Sequence, residues 1–161
     1  LIPGVNEYRD QKNLNSEKSK YYKTAKIKDM KELKMCPITK CETGAKLIGV
    51  KIDNDIFDFL KENIVVDEDL FDVMTAISNP ERRFRFSNVC LESGCKHWQG
   101  ESCGCLRKVL KDIENLSLSK DTTLPQCSIR ERCRWFHQEG RRACDICPLL
   151  AIIDKDMIET S

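Results

Sequence analysis

Apolar residues in the first half of this chain follow strand and helix periods, and then cysteine takes over the pattern. Lys46 to Ile52 sets Leu47, Ile48, Val50 and Ile52 in near alternation, which predicts a strand. Asp53 suits the N-cap of a short helix with Ile56, Phe59 and Leu60 on one face. Ile64, Val65 and Val66 predict another short strand. Asp67 then caps a second helix, whose acidic first turn suits the dipole and whose stripe is Leu70, Phe71, Met74 and Ile77. Asn79-Pro80 ends it. Glu81 to Phe86 alternates Arg and Phe, and Cys105 to Leu116 is a helix turning Leu106, Val109, Leu110 and Ile113 inward. Leu116 to Gln126 is a Ser/Thr-rich loop, and Leu149 to Ile153 is a short apolar segment before a polar tail.

These elements predict an α+β fold in which residues 36–89 form a small mixed scaffold. Residues 90–161 form an irregular, loop-rich half organised by cysteine, joined with the scaffold in one compact domain. Residues 1–35, rich in Lys, Asn and Ser with little apolar periodicity, read as a flexible or draped arm. A length of 161 residues with 40% hydrophobic content permits a modest core.

The net charge of +1 conceals a strong asymmetry. Residues 1–35 carry nine basic and five acidic residues, whereas residues 51–81 carry two and nine. Binding of a polyanion by the whole surface is therefore not expected, although local basic patches remain. No stretch reaches the ~20 apolar residues that span a bilayer, so no membrane partner is expected. A cytoplasmic location is expected, where ten cysteines stay reduced.

The cysteines fall into two similar sets. The first is Cys90-x4-Cys95-x7-Cys103-x-Cys105, and the second is Cys127-x5-Cys133-x10-Cys144-x2-Cys147. The stretch Cys95-Lys96-His97-Trp98-Gln99-Gly100 echoes Cys133-Arg134-Trp135-Phe136-His137-Gln138-Glu139-Gly140. Four thiolates converging from loops are what a metal centre needs. The second set is complete in itself. In the first, Cys103 and Cys105 crowd each other, so Cys36 or His97 is an alternative fourth ligand; Cys36 and Cys41 repeat the x4 gap of Cys90 and Cys95.

Three readings of the thiols compete. Structural zinc favours paired Cys-x2–4-Cys knuckles, and this chain has one Cys-x2-Cys. Iron–sulfur clusters, of the 4Fe-4S kind, accept wider and more varied gaps because their ligands surround a larger body. The ending Cys144-x2-Cys147-Pro148 resembles the Cys-Pro that closes bacterial ferredoxin motifs, over five residues. Disulfides are the third reading, though a chain with apolar helices has little need of five staples.

One or two clusters with an electron-transfer or redox-sensing role, inside a larger assembly or with a protein partner, is the expected function. Trp98 and Trp135 would shield the cofactor, and Arg134 with neighbouring arginines would offset its negative charge. The alternative is a zinc-stabilised module using Arg residues and aromatics on nucleic acid or protein. Catalysis has little support: there is no phosphate loop, no His-Glu-x2-His, no Gly-x-Ser-x-Gly and no Cys-x3-Cys-x2-Cys.

Overall fold

The computed structural model describes residues 33–52, 56–113 and 123–150. The chain divides into two units, Leu1–Leu33 and Lys34–Ser161. All elements below belong to the second, and the arm expected over residues 1–35 lies almost wholly outside the described residues.

Four antiparallel strands form one sheet: β1 (Met35–Thr39), β2 (Lys46–Lys51), β3 (Phe57–Val65) and β4 (Phe84–Val89), in the order β1-β4-β2-β3. The helix expected after Asp53 is instead β3. Phe57 and Phe59 are both buried with exposed Asp58 between them, a period of two, and the strand pairs with β2 from Lys51↔Phe57 to Lys46↔Val65. Backbone hydrogen bonds to that ladder outweigh the capping signal of Asp53, which itself falls outside the described residues. The strand expected at Ile64–Val66 is the far end of the same element.

Each face of the sheet carries its own core. On one face Ala45, Leu47, Val66, Met74 and Phe86 pack under helix α1 (Glu68–Thr75). The Asp67 carboxylate accepts from the Leu70 amide at 2.8 Å, as an N-cap should. On the other face Ile48, Phe57 and Phe59 meet Leu106, Val109, Leu110 and Ile113, which run along and just past helix α2 (Gly104–Asp112). Trp135, Ala143, Ile146 and Leu150 complete this larger core. The residues expected to form the scaffold and those of the cysteine-rich half thus share one apolar cluster.

A β-bulge between Leu47 and Gly49 changes the register on β2. Gly49 sits between Phe59 and Arg85, and a Cβ there would lie 3.0 Å from the Asp58 carbonyl and 3.3 Å from Arg85 Cβ. Close approach of three strands explains the glycine. Among the described residues, no helix is long and apolar enough to cross a membrane.

Candidate metal centres

The second set of cysteines is assembled by a reversal of the chain. Gln126 Nε2 donates to the Phe59 carbonyl at 3.1 Å and ties the segment bearing Cys127 to β3. Cys133 bridges to Met35 of β1 and is the N-cap of helix α3 (Arg134–Glu139). Gly140, at φ 59° and ψ −140°, separates α3 from helix α4 (Arg141–Ile146) in a conformation that side chains rarely tolerate. The turned-back α4 carries Cys144, with Cys147 in the 3-10 turn that follows.

Cys127, Cys133, Cys144 and Cys147 line a single hollow, walled by Ile48, Phe59, Trp135 and Phe136, with Arg130 at its edge. The sulfurs lie near enough for each charge to be felt by the others. Burial pushes the Cys133 thiol up to about 12, against the pull of the Phe136 and Trp135 amides at the start of α3. Burial likewise raises Cys147 far above the usual thiol range, offset by Arg85, and raises Cys144, offset by the guanidinium of Arg130. Kept protonated, these thiols are inert; a metal that takes the proton's place removes the penalty.

The first set gathers five thiols rather than four. Cys36 on β1 lies in the field of Cys90, Cys103 and Cys95, and Cys105 lies in that of Cys103, Cys36 and Cys95. Cys90 follows β4, with its amide held by the Lys34 carbonyl at 2.8 Å. Cys95 closes a 3-10 turn, Glu92–Gly94. A two-stranded hairpin, β5 (Trp98–Gln99) and β6 (Ser102–Cys103), then returns the chain to Cys103, the N-cap of α2. The Cys105 thiol donates to the Cys103 sulfur, and the amide of Leu106 also points at it, so Cys103 falls to about 6 despite burial. The same pairing, reinforced by burial, holds Cys105 as the protonated partner. Cys41 stands apart, beside Glu81 and Glu42 and against the other core.

The sequence echo is resolved differently from its alignment. Cys95 leads into a hairpin, while Cys133 opens a helix. The structural counterpart of Cys133 is Cys103: each is a helix N-cap whose thiolate is favoured by the amides two and three residues on, though neither sulfur makes a capping hydrogen bond. Among the described residues, no group of three or more His, Cys, Asp or Glu side chains is arranged to hold a single metal ion. All ten cysteines are free thiols, so the disulfide framework does not form.

The residue that sequence reading missed is Arg85. It projects from β4 into the larger core with 2% exposure, and its Nε, Nη1 and Nη2 have no hydrogen-bond partner. The guanidinium stacks 4.2 Å from the Phe57 ring centroid. Burial works against its charge, while Cys147 of the second set and Cys36 and Cys105 of the first work in its favour. An unpaired buried guanidinium costs several kcal/mol (on the order of 3–5). Cysteines of both sets are the groups whose ionisation would supply a counter-charge; as neutral thiols they do not. The signal available in the sequence was an Arg between two Phe residues, which reads equally well as an exposed strand position.

The other expected cofactor neighbours are placed as follows. Trp135 is 1% exposed, with its indole N–H toward Cys103 but unpaired, so it lines the hollow of the second set and offers no face to a base. Arg134 reaches the Cys90 sulfur, pairs with Glu92 and lies 5.1 Å from the Trp98 ring. His97 has a buried, unpartnered Nε2, and its carbonyl accepts from the Gly104 amide at 2.8 Å. His137 turns away toward the Glu131 carbonyl and Lys34 Nζ. The chain matches no protein-family model, no curated protein and no solved structure.

Proposed function

We propose that this chain is an iron–sulfur protein with two Cys-ligated centres and an electron-transfer or redox-sensing role. The observation that carries this is Arg85, a buried and unpartnered cation flanked by cysteines of both sets. Cys127, Cys133, Cys144 and Cys147 would hold one cluster. Cys90, Cys95 and Cys103 would hold the other, with Cys36 or Cys105 as fourth ligand.

The spacing of the thiols along the chain supports a cluster over zinc. The four of the second set gather about one hollow through gaps of five, ten and two residues, irregular by the standard of paired zinc knuckles. The surroundings also suit redox work. Amides at the starts of α2 and α3, the arginines and the aromatic wall are the levers that set a cluster's potential. When bound, a cluster would supply one-electron chemistry; the chain's own groups exclude water and balance charge.

The test is anaerobic purification followed by visible absorption and low-temperature electron paramagnetic resonance after reduction. A brown protein with a cluster signal that weakens in Cys133→Ser and in Cys90→Ser supports the reading. A colourless protein holding zinc in proportion to the chain overturns it and leaves the zinc-stabilised module.

A further inference from the structure

A groove of about 470 Å³ opens beside the second centre, lined by Lys46, Lys61, Ser128, Arg130, Glu131 and Arg132, with Met35, Cys127 and Ile129. Four of those side chains are cationic and one is acidic, in a chain whose net charge is only +1. Ser128 lines the groove and its Oγ has no hydrogen-bond partner, while Arg130, also on the wall, turns its guanidinium toward the Cys144 sulfur. Buried donors are ordinarily satisfied, and polar groups left over at a concave surface mark what a ligand completes. Burial, together with Arg132, also lowers the affinity of Lys46 for its proton. An anion between the two cations would relieve that crowding.

We propose that this groove binds a small oxyanion, a carboxylate or phosphate compound, next to the second centre. Its size falls in the range of small-molecule sites, roughly 300–1,000 Å³. A polynucleotide would need aromatic faces for its bases, and nearby Trp135 is buried while Phe136 packs against the core. Residues 127–132 carry both the groove's donors and a sulfur of the second centre, so occupancy of the groove bears directly on the segment that holds Cys127. The groove's charge comes from lysine and arginine side chains and does not depend on which metal the centre takes.

Calorimetric titration of the full, metal-loaded chain with citrate and with pyrophosphate, at about 0.15 M salt, tests this. Saturable binding of one probe per chain is expected, and which probe binds tells carboxylate from phosphate. The double variant Lys46→Gln/Lys61→Gln should bind at least about tenfold more weakly, since each charged contact contributes on that order. Ser128→Ala should weaken binding by a smaller factor, and Lys111→Gln on α2 should change nothing. Iron content is read separately in every variant, so failure of the groove and failure of the cluster reading are distinguishable. No saturable binding of either probe, or equal affinity in the double variant, overturns the proposal. So does a single-stranded oligonucleotide that binds more tightly than pyrophosphate and loses that affinity in the double variant.

Discussion

Replacing Arg85 by Met gives opposite signs in the loaded and metal-free protein. Methionine keeps the length of the side chain and removes its charge. In the metal-free chain the guanidinium is buried, unpartnered and compensated only by stacking on Phe57. Substituting an apolar group of similar volume for such a charge stabilises by about 1–4 kcal/mol. In the loaded chain the same change strips a counter-charge from two anionic centres. For a unit charge about 6–8 Å from a centre, an effective dielectric of about 20 gives about 2–3 kcal/mol per centre. Expressed as a one-electron potential, that is a fall of about 90–120 mV. Denaturant titration of both forms, with potentiometric titration of the loaded one, reads both effects. A variant that stabilises both forms alike, with potentials unchanged within about 15 mV, refutes the placement of Arg85 between charged centres.

Thiol chemistry supplies two further predictions. In metal-free protein at pH 7, iodoacetamide should label Cys103 first, with a rate that rises through about pH 6, and metal loading should protect it; labelling that begins at Cys133 contradicts the assigned environment. Cys36, Cys133 and Cys147 have thiols raised by burial, so the folded state resists their ionisation. Their contribution is intact below the unfolded thiol value near 8.5 and is lost as pH rises above it, by about 1–2 kcal/mol per thiol at pH 10. Cys103 has the opposite sign: its contribution is present above the unfolded value and lost as pH falls through about 6. Metal-free protein should therefore lose denaturant resistance between pH 8 and 10 while loaded protein holds it; a flat metal-free profile contradicts the burial of these thiols. Gly49→Ala should lower stability by roughly 1–3 kcal/mol, because its Cβ meets the Asp58 carbonyl and Arg85 at 3.0 and 3.3 Å; an unchanged melting temperature removes the close approach as its cause.

Amphipathic elements were the legible ones. The β2 strand, α1 with its Asp67 cap, and α2 with its apolar stripe all follow from short-range period and capping. The segment after Asp53 misled because Ile56, Phe59 and Leu60 satisfy a helical spacing, while Phe57 and Phe59 satisfy a strand. The available edge of β2, a long-range fact, decides between them. Among the cysteines, the second set was readable because its four members lie within one turn-rich segment. Cys36, offered as an alternative ligand by its repeat of the x4 gap, lies near the first set because β1 pairs with β4, Cys36 opposite Asn88, a long-range pairing that leaves Cys41 apart. Arg85 was hidden for the same reason. An alternating Arg and Phe strand signals one wet face, and only a sheet covered on both sides turns that arginine into a buried charge.

Iron and acid-labile sulfide counted per chain, after anaerobic purification, test the central claim most directly. Two 4Fe-4S centres predict about eight of each per chain, falling by about half in Cys144→Ser or in Cys95→Ser. Zinc at one or two per chain with neither iron nor sulfide would contradict the account.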